Sequence, residues 1–237
     1  MHRESFFDNL RESLEKGRSK SPNLWNPDSD QETRDQVQAI LESSEFLWEE
    51  RYETIVETAR KAGWNVARVV TFEDLIEYIE CLVQEKRATK VVYTSQAAVR
   101  DLGLDKVFGQ SRIEFTEIND SGNISPANLR TKSIEADIGI TGIEFAIAET
   151  GTCVLTAGND TGRLVGLAPP VHVAIVSKGQ VLESLDDLFA IRKSQKIDGK
   201  FPAYSNLISG PSRSADIEYT LVTGVHGPGE VHMILVG

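Results

Sequence analysis

Glu149 heads a Glu149-Thr150-Gly151-Thr152 turn inside a run of apolar and small residues, where a carboxylate needs either a partner or a task. Between Thr141 and Val176 only four side chains are charged (Glu144, Glu149, Asp160 and Arg163), whereas 26% of the whole chain is charged. Burying an unpaired carboxylate is costly, so the sequence predicts a shielded Glu149 whose pKa burial raises, fit to act as base, nucleophile or ligand contact. The competing reading is a carboxylate that pins its own turn by accepting backbone N–H groups.

Three more glycine-punctuated segments follow: Asn159 to Arg163, Ser209 to Glu218, and Gly224-Val-His-Gly-Pro228. Glycine beside Ser and Thr exposes backbone N–H groups next to hydroxyls, the chemistry that receives carboxylate or phosphate oxygens. Thr150, Gly151, Thr152, Gly210, Ser212 and Ser214 are therefore candidate donors to a small anion. Arg163 could grip a carboxylate through two parallel N–H bonds, or stand as a surface or Glu-paired arginine. His226, between Gly224 and Gly227, could move a proton near neutral pH, or cap a turn. Asp216 lies two residues from Glu218, on the same face if the segment is extended. Such a pair serves either as two acid–base carboxylates or as acceptors organising a loop.

Other chemistries lack their spacing. There is no Gly-x-Gly-x-x-Gly after a strand and no phosphate-loop lysine motif. His172 and His232 sit in strand-like runs as packed or edge positions. Cys81 and Cys153 stand far apart without a Cys-x-x-Cys, so the chain is expected to hold no metal and no iron–sulfur cluster alone.

The elements that must place these residues alternate through the first half. Phe6, Phe7, Leu10 and Leu14 share a helix face, and Gly17 to Asp28 reads as a linker, giving an N-terminal arm over 1–28 and one α/β domain over 29–237. Ser29 and Glu32 have capping-box spacing, and helical periodicity runs from Val37 to Ala59 with a stop at Gly63. Strands are predicted at 65–70, 90–94, 113–117 and 138–141, and helices at 72–85, 95–102 and 127–135. A mostly parallel sheet flanked by helices follows. Beyond Thr141 short strands are predicted at 145–149, 153–157, 172–177, 207–209 and 231–236, with one helix over 185–193 capped by Ser184. This portion is expected to form a β-rich half built on the first.

The 237 residues, 40% hydrophobic, suffice for a full core, and the net charge of −11 offers no basic run for nucleic acid. The charged N-terminus predicts no export signal, and the apolar run 164–177 is too short for a bilayer and broken by Pro169-Pro170, so a cytoplasmic protein is expected.

Taken together, Ala136-Asp-Ile-Gly-Ile-Thr141, Ala148-Glu-Thr-Gly-Thr152, Gly162-Arg163, Ser209-Gly-Pro-Ser212, Ser214-Ala-Asp-Ile-Glu218 and Gly224-Val-His-Gly-Pro228 resemble the lactate utilization protein C family, which carries the LUD domain. The likeness covers most of the chain, with its motifs concentrated in about the last hundred residues. It implies a fold like that of CoA transferases and phosphosugar isomerases. It further implies a non-redox role in bacterial oxidation of L-lactate to pyruvate, beside partner proteins that carry the iron–sulfur clusters. Glu149 would then lie where related folds place functional carboxylates. Three functions remain open: a non-redox subunit of a lactate-oxidising complex, with a pocket of Glu149, Thr150, Thr152, Arg163, Ser212, Asp216 and His226; a stand-alone enzyme of acyl transfer or phosphosugar isomerisation using Glu149; and an assembly module without catalysis.

Overall fold

A computed structural model describes residues 27–109, 112–119, 125–156, 158, 162–217 and 220–237, with the side chains of 27–29 and 215–221 outside the description. The arm expected around residues 6–14, Asp160 and Glu218 lie outside the described residues. The first helix, α1 (Pro27–Phe46), begins within the stretch assigned to the linker, because proline's fixed φ suits the first turn of a helix. The helix α2 (Trp48–Ala62) abuts it and stops at Gly63 as expected.

From there helices and strands alternate: β1 (Asn65–Val69), α3 (Phe72–Glu85), β2 (Lys90–Thr94), α4 (Ala97–Arg100), α5 (Leu104–Val107), β3 (Glu114–Ile118), α6 (Pro126–Glu135) and β4 (Ile138–Gly142). Local chemistry sets several of these starts. Thr71 and Asp74 close a capping box on α3, and Ser125 caps α6 just ahead of Pro126. The remainder supplies β5 (Phe145–Ile147), β6 (Thr152–Thr156), a 3-10 turn (Arg163–Gly166), β7 (Val171–Ser177), β8 (Val181–Leu182), α7 (Leu185–Ile197), β9 (Ser205–Ile208), β10 (Arg213–Ile217), β11 (Thr220–Thr223) and β12 (Glu230–Val236).

Six strands form one sheet in the order β1-β12-β7-β4-β2-β3, and every neighbouring pair is parallel. The fold is thus α/β with a mostly parallel sheet. The expectation of a β-rich half laid on the first needs correction: β7 and β12 insert between β1 and β4, so the two portions of the chain are interleaved. Alternation alone could not reveal this, because parallel partners are chosen by packing on both faces rather than by nearness in sequence. A second sheet, β8-β5-β6-β9, and a β10-β11 hairpin take the other strands.

Side chains divide along the central sheet. Val91, Tyr93, Ile138, Ile140, Val173 and Ile175 pack against α3, α4 and α5 on one face. Ala174, Val176, Met233 and Leu235 face Ile55 and Ala59 of α2, together with Ala146 and Cys153 of the second sheet. That sheet's outer side, with Ile147, Val154 and Leu182, is covered by Leu188 and Ile191 of α7 and by Val37 and Ile40 of α1. Each fully buried aliphatic side chain contributes about 1.5–3 kcal/mol.

Candidate functional site

The order in which strands are added to the parallel sheet reverses between β2 and β4, and ligands of such sheets sit outside the carboxyl ends of the strands near that point. There Gly142 N–H donates to the Thr94 hydroxyl at 3.3 Å, and Thr94 in turn donates to Gln96 Oε1 at 3.0 Å. One strand further out, β3 ends at Ile118, whose Cγ2 presses on Gly162 at the foot of the 3-10 turn. That turn lies so close over β4 that a Cβ on Gly139 would stand 1.9 Å from the Val165 carbonyl oxygen. Only glycine permits the approach.

A cavity of about 190 Å³ opens between this turn and α6. Pro126, Leu129, Arg130 and Ser133 of α6 line it, spaced 3 and 4 apart as one helix face requires, and Gly162, Arg163 and Leu164 close the opposite side. Arg163 is exposed, with its guanidinium carbon 5.6 Å from the centre of the Tyr204 ring. Stacking on a ring uses the face of the guanidinium and leaves its N–H edges for a ligand. Neither Arg130 nor Arg163 has a carboxylate partner among the described residues.

Glu149 is not there. It is exposed rather than shielded, and its Oε1 accepts the Leu185 N–H at 2.7 Å, on the first turn of α7. That contact meets an otherwise unpaired helix N–H and the positive end of the helix. The more shielded carboxylate of this stretch is Glu144, half-buried and five residues earlier. Arg192 of α7 donates to both its oxygens at 2.9 and 2.7 Å, and Thr156 donates as well. Desolvation pushes the Glu144 carboxyl up, but the bonds from Arg192 and Thr156 outweigh it and hold the group below its ordinary value. The apolar run pointed to Glu149 as the shielded carboxylate, but Glu144 takes that place, because Arg192, 48 residues away in sequence, reaches it.

The remaining candidates fall into two further groups. Thr150 and Thr152 hydroxyls lie 2.8 Å apart, and Thr152 reaches Ser209 at 2.7 Å, joining two turns into a hydroxyl chain. Gly151, at φ +61, brings this turn against Ala59 of α2, where a Cβ would lie 2.4 Å from the backbone nitrogen. Gly210 likewise rests on the Ala62 carbonyl at the end of α2. Ser212 joins the other group: its N–H donates to Pro228 O at 2.8 Å, and its carbonyl accepts from Gly224 N–H at 2.9 Å. His226 is exposed in that loop, Ser214 pairs with Val222 in the hairpin, and Asp216 is on β10 with its side chain outside the description.

The expected single pocket is therefore divided. Glu149 lines a different cavity, of about 280 Å³, with Glu50, Arg51, Thr54 and Glu183, while Arg163 faces α6. Turns separated in sequence converge in pairs, each gripping α2 or its neighbouring loop, rather than all on one point. Arg130 and Ser133 escaped notice because α6 is polar on most sides and carries no glycine motif. The only available signal was that Arg130 shares the helix face of Leu129.

His172 and His232 are both packed. His172 is fully buried on β7, with Nε2 2.9 Å from the Thr141 hydroxyl, and burial, reinforced by His232, pushes its pKa down to about 4. His232 lies between the Tyr78 hydroxyl at 2.8 Å and Glu230 at 2.9 Å. Among the described residues no cluster of three or more His, Cys, Asp or Glu side chains could hold a metal, and no helix is long and apolar enough to cross a membrane.

Comparison with known proteins agrees with this architecture. The model of the LUD domain matches residues 52–236. Lactate utilization protein C of Halalkalibacterium halodurans is 30% identical over 227 residues, 95% of this chain and 94% of that protein. Lactate utilization protein C 1 of Bacillus mycoides is 34% identical over 167 residues, 70% of each chain. The protein of the same name in Bacillus subtilis is 42% identical over 106 residues, 44% of each. Among solved structures, a DUF162 family protein from Deinococcus radiodurans superposes with a TM-score of 0.53 at 22% identity, covering 79% of this chain and 97% of the other.

Proposed function

The chain belongs to the LUD domain family, and from that premise we propose that it is a non-redox component of a cytoplasmic system that oxidises L-lactate to pyruvate. Support comes from relatives named for lactate utilization, one of them aligned over 95% of the chain. The observation that carries the chemical part of the reading is Arg163, an arginine that lines a small cavity beside the carboxyl end of β3 and has no carboxylate partner among the described residues. The paired oxygens of a small anion would take its N–H edge, beside apolar walls from Ile118, Leu129 and Leu164.

Two cysteines in the whole sequence are fewer than the four thiolates that hold a common iron–sulfur cluster. In this reading the clusters belong to partner proteins, which receive the electrons, while this chain binds and orients an anion. Glu149 is given no catalytic part, since its Oε1 is engaged by the Leu185 N–H.

Deleting the chain's gene and restoring it as wild type or as Arg163→Ala, with growth on L-lactate as sole carbon source, tests the proposal. Growth lost on deletion, restored by wild type and not by Arg163→Ala supports it. Undiminished growth of the deletion strain overturns it. Affinity capture from lactate-grown cells should bring down iron–sulfur proteins, and recovery of the chain alone would remove the partner claim.

A further inference from the structure

We infer that the cavity between α6 and the 3-10 turn is a site for a small dianion, such as a phosphoryl group or a short dicarboxylate, and that Arg130 sets this preference. The inference rests on the reading of Arg163 as an anion-binding residue and adds a second cation to it.

Charge provides the first argument. The chain has eleven more acidic than basic residues, and two cations near α6 are matched: Lys132 to Glu114 and Lys90 to Glu135, at 2.5 and 2.7 Å. Lys132 is two residues beyond Arg130 on the same helix, yet its ammonium turns to β3 while Arg130 lines the cavity. Two exposed guanidinium groups border one small space with no carboxylate partner among the described residues, and an anion between them would offset their like charge. A monoanion compensates one of them. A dianion compensates both.

Placement and size argue the same way. Arg130 and Ser133 share a face of α6, and Arg163 comes from the opposite wall, so an anion between them is met from two sides. Arg163 is steadied by the Tyr204 ring, which leaves the edges of its guanidinium open. The volume of about 190 Å³ lies below the roughly 300–1,000 Å³ typical of pockets for drug-sized ligands. Phosphate, oxalate or a three- to four-carbon acid matches that volume.

The test is calorimetric titration of the full-length protein at pH 8 and constant ionic strength. Inorganic phosphate and oxalate serve as dianions, with acetate and L-lactate as monoanions. Wild type should bind at least one dianion about tenfold or more tightly than either monoanion, the scale of one added charge-assisted contact. Arg130→Gln should erase that preference, and Arg130→Lys, which keeps the charge but not the planar fork, should retain part of it. Because Arg130 is exposed, both variants should keep the wild-type far-UV spectrum and ligand-free melting temperature. Monoanions bound as tightly as dianions by wild type, or a preference unchanged in Arg130→Gln, overturns the inference while leaving the lactate reading intact. Absence of binding by all four anions also overturns it, and growth of the Arg163→Ala strain on lactate then judges the function separately.

Discussion

Two arginine sites that meet adjacent residues of one segment, Arg163 over the Tyr204 ring and Arg192 on the Ser205 hydroxyl, obey opposite rules. Arg192 is buried and spends its guanidinium on Glu144, Thr156, Gln195 and Ser205 at 2.7 to 3.2 Å, tying α7 to the second sheet. Arg163 and Arg130 are exposed, border a cavity, and meet no carboxylate among the described residues. A satisfied, largely desolvated ion pair fixes neighbouring elements in place and has no capacity left for a ligand. Unsatisfied cations beside a cavity do little for the fold and keep their capacity for an anion. The same residue type thus marks scaffold in one place and site in the other, and partnering tells them apart.

The contrast is most easily broken at Arg192. Arg192→Ala leaves Glu144 largely buried without its counter-ion and should cost about 3–5 kcal/mol in urea denaturation. A loss below about 1 kcal/mol would mean the pair is not the brace described here. Pairing Glu144→Gln with Arg192→Met should recover much of the deficit, since removing both charges is far less damaging than removing one.

Protonation gives the next largest effect. His172 is neutral in the fold, with a pKa of about 4 against an ordinary 6.5. Between those values the unfolded chain binds more protons, so stability is full above pH 6.5 and declines as pH falls toward 4. The loss is of order 3 kcal/mol at about 1.36 kcal/mol per unit. His232, also lowered and chiefly by burial, acts in the same direction. Glu144 adds its loss later, as pH falls below its ordinary 4.5 and through its lower folded value. Chemical denaturation of wild type and His172→Gln across pH 4–8 checks this, with a flatter profile expected in the variant.

Gly139→Ala joins the two kinds of site. The added methyl would meet the Val165 carbonyl, so the 3-10 turn carrying Arg163 must shift, at about 1–3 kcal/mol for an overpacked position. Anion binding should fall as well, and an unaltered dissociation constant would detach the turn from the site.

Glu149→Gln should lower the melting temperature slightly, by less than about 1 kcal/mol of stability through a weakened contact to α7, and should leave anion binding unchanged. Smallest of all, Arg163→Ala should stay within about 0.5 kcal/mol of wild type in stability while losing the ligand. A strongly destabilised Arg163→Ala would place that residue with Arg192 among the braces.

Much of the fold was legible before any coordinates. Helix α3 with its Thr71 cap, strand β2 over Lys90–Thr94, and the Ser184 cap of α7 appear where periodicity and capping placed them, because each signal acts within one or two turns of chain. The strand pairing was not legible. β12 finds its place between β1 and β7 by burying Met233 and Ile234 on opposite faces, and nothing in the local pattern names those neighbours.

The candidate site divides in the same manner. Composition raised Arg163 and the hydroxyl-bearing turns as candidates, and Glu149 as the carboxylate in need of a partner between Thr141 and Val176. Which carboxylate was buried depended on Arg192 arriving from α7, and which arginine accompanied Arg163 depended on α6 crossing the end of β3. Residue types and short spacings specify helices, caps, turns and the charges that need an answer, since those are local properties of a chain. Whether a charge is answered by a distant side chain or left facing a cavity is a fact of three-dimensional packing, because electrostatic and hydrogen-bonding partners are chosen by distance in space.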